Sequence, residues 1–211
     1  MAMFFKPAEV QSRELKPFDE FPLSFSEGSL AGVISTDELA NTVFLYHLVA
    51  NALSEGPVYH VGPGSSFSIK VLKRLVEDVS NLYTGNVYSM DELLQALNLV
   101  EDNSLMVVSL FPTLLNRTAE NIVELRKVVD RKGLMLVLTH TTIELNELDL
   151  SGEFRELYTL PEIFEALAVL RTNSYRGHYR LNMTVLKAPA EFVSSIGDHS
   201  IPIDSLVKPL L

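Results

Sequence analysis

The most basic, aromatic-interleaved stretch of the chain is Arg171-Thr172-Asn173-Ser174-Tyr175-Arg176-Gly177-His178-Tyr179-Arg180. Arginines that neutralise phosphates, beside tyrosines on which bases stack, are the equipment of single-strand nucleic-acid binders. The same run also reads as an exposed hairpin with its arginines in solvent. Gly62-Pro63-Gly64-Ser65-Ser66 sits between a strand-like and a helix-like segment. It is a poor dinucleotide fingerprint, because Phe67 replaces the third glycine and Pro63 removes an N–H from the cradle. A tight turn at a strand end is the simpler reading. His47, His60, His140, His178 and His199 show no metal-type spacing and no H-E-x-x-H, so they read as ordinary buried or surface histidines. Ser65, Ser66 and Ser109 lack the G-x-S-x-G of a nucleophile elbow. With no cysteine, thiol nucleophiles, disulfides and Cys-ligated metals are excluded. Glu144 to Glu156 is acidic, with Glu147, Asp149 and Glu153 among Leu145, Leu148 and Leu150. It suits a basic partner, or simply water.

The elements that must position these residues follow from periodicity. Leu30–Ile34 reads as a buried strand. A helix over Ser35–Leu53 would be opened by Ser35 with Glu38 three residues on, a capping-box spacing. Val58–Val61 is a second strand, Ile69–Val79 has helical spacing, and Leu82–Val87 is a third strand. Ser89 caps a helix over Met90–Leu99, with Asp91 and Glu92 in its first turn. Leu105–Phe111 and Leu134–Thr139 are nearly all apolar, as strands covered on both faces must be. Thr118–Val129 is a helix ending near Gly133. Residues 141–160 read as an acidic loop. Ile163–Arg171 and His178–Leu186 form a hairpin turning at Arg176-Gly177. Strands alternating with helices imply an α/β fold, with a mostly parallel central sheet between helices and a C-terminal antiparallel hairpin.

Residues 1–25 read as an extended N-terminal tail broken by Pro7, Pro17 and Pro22, and residues 26–211 as one core domain. The tail's many phenylalanines need a surface, either this domain or a partner. Among 211 residues there are 27 acids against 17 bases, a net charge of −10. That excludes a generally basic nucleic-acid binder. No apolar run approaches the ~18 residues of a membrane span, and no signal-peptide pattern opens the chain. A cytoplasmic location is expected, nuclear in a eukaryote.

The order of these segments resembles the ATPase domain of the RecA-type recombinases, the archaeal and eukaryotic branch above all. GSLAGVISTDELANTVFLYHLVANAL stands where that family has its first core strand, phosphate loop and helix. GPVYHVGPGSSFSIKVLKRLVED is similar to the next strand, catalytic-glutamate turn and helix. SLMVVSLFPTLLN resembles the strand ending in the Mg²⁺-linked aspartate, and GLMLVLTHTT the strand leading to the second DNA-binding loop. The resemblance implies a RecA-like three-layer sandwich.

On that resemblance the catalytic parts are lost. Ser35 and Ala40 stand in the phosphate-loop glycine positions and Asn41 in the lysine position; only Thr42 fits. Asp37 and Glu38 put carboxylates where the family places phosphate. Gly64 stands for the water-activating glutamate and Ser109 for the aspartate. The resemblance therefore implies a paralogue without ATPase activity or cofactor. Its role would be a protein-interaction module in recombination or DNA repair, docked on a RecA-family recombinase or paralogue. Phe5-Lys6-Pro7-Ala8 fits the family's F-x-x-A docking pattern, with Phe5 and Ala8 as anchors; burial against its own domain is the other reading. The hairpin residues Arg171, Tyr175, Arg176, Tyr179 and Arg180 gain a third reading as contacts in trans to a partner's nucleotide. Two alternatives stay open: a nucleotide-binding regulator or unusual ATPase using Thr42, and a direct single-stranded DNA binder.

Overall fold

The computed structural model describes residues 13–64 and 67–211. In chain order the elements are β1 (Glu14–Leu15), β2 (Phe25–Ser26), β3 (Leu30–Ser35), α1 (Glu38–Leu53), β4 (Val58–Val61), α2 (Ile69–Leu72), β5 (Leu82–Gly85) and α3 (Met90–Leu99). There follow β6 (Leu105–Val108), α4 (Ala119–Lys132), β7 (Met135–Thr141), α5 (Leu150–Tyr158), β8 (Ala166–Tyr175), β9 (His178–Lys187), β10 (Gly197–Pro202) and α6 (Asp204–Val207). Apart from the β1–β2 pair, the strands form one eight-stranded sheet, ordered β10-β9-β8-β3-β7-β6-β4-β5. The six strands from β8 to β5 are parallel, while β9 and β10 add antiparallel pairs.

Burial on both faces explains the apolar central strands. In β7, Met135 and Val137 face one half of the core, and Leu136 and Leu138 the other. The first half is filled by Phe44, Leu48 and Val49 of α1 with Val207 of α6; the second by Leu93 of α3, Leu125 of α4 and Phe154 of α5. The sheet thus lies between two helical layers. Tyr158 sits under its centre, its hydroxyl donating to Val33 O (3.0 Å) and Leu138 O (3.1 Å) on adjacent strands. Among the described residues, no helix is long and apolar enough to cross a membrane.

Four expectations change. Residues 13–25, read as tail, lie on the α1 layer, where Leu15, Phe18, Phe21, Leu23 and Phe25 are buried in the core. Of the two surfaces open to these aromatics, they take their own domain. Helix α1 does not open on Ser35: β3 continues through it, pairing Ser35 with Thr141 and Leu170. Asp37 is the cap, its carboxylate accepting from Ala40 N. The helix expected to reach Val79 stops at Leu72, where Arg74 N and Leu75 N bond three residues back and tighten the chain into turns. The acidic stretch expected as loop contains α5, capped by Asp149 and docked through Phe154 and Tyr158 four residues apart.

Candidate functional site

A cleft of about 180 Å³ opens at the carboxyl ends of the parallel strands. From β3 the chain crosses to β4 on one side, while β8 lies on the other. In open α/β sheets, ligands settle at such a switch point. The first turns of α1 supply Glu38, Asn41, Thr42 and Tyr46 to the cleft, β4 supplies His60 and the turn after it Gly62, and β6 leads into Ser109. Thr139 and Thr141 of β7 line it too, as does Phe67.

Of the eight positions matched to the family's nucleotide site, four therefore meet: Glu38, Asn41, Thr42 and Ser109. The others do not face the cleft. Ser35 and Ala40 are buried, and Gly64 is exposed beyond Pro63 with φ +65°. Asp37 turns toward the hairpin. Its Oδ1 accepts from Ala40 N (2.8 Å) and Thr172 Oγ1 (2.6 Å), and its Oδ2 from Thr172 N (2.7 Å). The helix end that would hold a phosphate is thus capped by the protein's own carboxylate.

The strand ends approach closely because Gly62 has no side chain. A Cβ there would lie 2.7 Å from Ser109 O. Ser109 N donates to Val61 O at 2.8 Å, and Leu110 then adopts φ +55°. His60 Nε2 lies 2.8 Å from Ser109 Oγ. Burial lowers the His60 pKa to about 4, so the ring is neutral at neutral pH. Its ring packs on Phe67 at 4.6 Å, and Phe67 stacks on Tyr46 at 4.6 Å, 9° from parallel. The Tyr46 hydroxyl accepts from Ser68 N at 2.7 Å. Asn41 Oδ1 is buried with no hydrogen-bond donor among the described residues. Among the described residues lining the cleft, Glu38 is the one charged side chain. A polyphosphate would meet a carboxylate there and no cation. Among the described residues, no cluster of three or more His, Cys, Asp or Glu side chains suits a metal ion.

Sequence reasoning missed His60, Tyr46 and Thr139 as cleft residues. The available signal was His60 itself, an imidazole in an otherwise apolar strand end.

The hairpin divides its five candidates. Pairing sets Arg171 opposite Asn182, Asn173 opposite Arg180 and Tyr175 opposite His178, all on one face. Tyr179 is on the other face and packs against the α1 half of the core. Arg171 pairs with Glu147, and its Nε donates to Thr36 Oγ1 at 3.3 Å. Arg180 donates to Ser200 Oγ and Ser200 O, both at 2.9 Å. That leaves the tip, where the Arg176 guanidinium lies 5.0 Å from the centre of the exposed Tyr175 ring. Phe5 and Ala8 lie outside the described residues. Compared with known proteins, the chain matches no family model and no curated protein.

Proposed function

We propose that the chain is a non-catalytic RecA-fold paralogue. It acts as a protein-interaction module, an accessory or regulator of homologous recombination or DNA repair docked on a RecA-family partner. The mixed sheet between two helical layers, with its closing antiparallel hairpin, supports the assignment of fold type. The observation that carries the non-catalytic part is Asp37. Both its oxygens are engaged, capping α1 and binding Thr172, where a nucleotide-binding relative would present free N–H groups to phosphate. Asn41 supplies no charge in the lysine position, and Ser109, uncharged where the family has an aspartate, hydrogen-bonds to His60.

Two measurements test the reading. Equilibrium dialysis of the full chain against Mg²⁺-ATP is expected to show no saturable binding; stoichiometric binding would restore the nucleotide-binding alternative. Affinity capture from native lysate is expected to bring down a RecA-family protein with the wild type and to lose it with Phe5→Ala/Ala8→Glu. Absence of any such protein from both baits would remove the recombination assignment. A second reading, direct contact with single-stranded DNA, is favoured by the exposed Tyr175–Arg176 pair at the hairpin tip.

A further inference from the structure

We propose that the cleft at the carboxyl ends of the strands receives an arginine side chain delivered by a partner protein. The inference rests on the interaction-module reading and names the chemistry of what that module grips. At about 180 Å³ the cleft is smaller than the roughly 300 Å³ at which small-molecule pockets begin, and suits a single side chain. Its lining asks for a donor-rich cation. The Glu38 carboxylate has no ion-pair or hydrogen-bond partner among the described residues, and no cation lines the cleft with it. Asn41 Oδ1 is buried with no donor among the described residues, an arrangement that costs stability until a donor arrives. The wall is aromatic, built from Tyr46 stacked on Phe67 with His60 beyond. A flat guanidinium packs against such an aromatic lining while its N–H groups reach acceptors in its own plane; an ammonium offers no flat face. The positive end of α1 would oppose a cation, but the Asp37 carboxylate already offsets it. Arg117 and Arg171 of this chain are engaged elsewhere, with Leu157 O and Glu147. The net charge of −10 favours the approach of a basic partner segment.

The test is a two-dimensional NMR titration of the full ¹⁵N-labelled chain with N-acetyl-arginine amide, its uncharged citrulline counterpart and its lysine counterpart. Saturable shifts are expected at the Asn41 side-chain amide and at Thr42 with the arginine probe. The citrulline probe should bind about ten-fold more weakly, as loss of the charge–carboxylate attraction requires. Glu38→Gln, at an exposed position that leaves the core untouched, should weaken the arginine probe by a similar factor. Equal binding of citrulline or lysine overturns the proposal, as does an unchanged titration in Glu38→Gln, which would mean general attraction to an acidic protein. Absence of saturable shifts also overturns it, leaving water as the donor to Asn41. No partner protein enters the titration. A negative result therefore leaves the module reading to the capture experiment, and a failed capture leaves a positive titration standing.

Discussion

Asp37 ties the first turn of α1 to β8 through one carboxylate. Removing it as Asp37→Ala deletes a helix cap and leaves Thr172 N without its acceptor, a loss of about 2–3 kcal/mol. Asp37→Asn keeps one acceptor oxygen and should lose less; urea unfolding of both variants checks the order. His60 gives a pH signature. Its folded pKa of about 4 lies below its ordinary 6.5, so between these values the unfolded chain binds the extra proton. The stability it confers is fully present above pH 6.5 and falls away as pH drops toward 4. At about 1.4 kcal/mol per pKa unit, that loss is about 3 kcal/mol. Burial lowers the pKa of His47 and His140 too, so they act in the same direction. Unfolding free energies measured across pH 4–7 should show this slope, and His60→Phe should reduce it, leaving the part due to His47 and His140.

At the scale of elements, the junction of β4 with β6 depends on Gly62. Gly62→Ala would press a methyl against a backbone oxygen that no side-chain rotation can move. It should destabilise by about 1–3 kcal/mol and perturb Ser109 more than any hairpin residue, a pattern hydrogen exchange can read. The alternation of strands and helices is legible in the sequence because each buried face repeats with the period of its element. So is the hairpin turn, from Arg176-Gly177. Helix α5 is hidden because Glu153 and Glu156 are interleaved with the two aromatics that dock it, and a capping aspartate there looks like one more loop acid. The start of α1 is misplaced by two residues because Ser35 and Asp37 are both good caps; only the ladder to Thr141 and Leu170 decides between them. The resemblance brings Asn41, Thr42 and Ser109 to one place. The aromatic wall stays out of sight, because Tyr46, His60 and Phe67 meet only once α1 has packed over β4.

For the molecule as a whole, an acidic surface sets the terms of any nucleic-acid contact. The hairpin offers Arg176 and Tyr175 at its tip, while Arg171 and Arg180 are spent on Glu147 and Ser200. One or two phosphate contacts give weak binding with a shallow salt dependence. Anisotropy with a labelled single-stranded oligonucleotide should show no saturation at physiological salt. Tight binding abolished by Arg176→Ala would instead make the protein a direct DNA binder.

The sheet order also carries a consequence for how the protein is made. Strand β3, residues 30–35, is flanked by residues 136–141 on one side and 166–170 on the other. A ribosome that has released the first hundred residues has therefore released the central strand with neither neighbour. Until β8 has emerged, one long apolar edge of that strand stays bare, open to pairing with another nascent chain. Folding must wait for nearly the whole chain, as such long loop closures dictate. A fragment ending at Pro161 should accordingly aggregate, while the full chain remains monodisperse by light scattering.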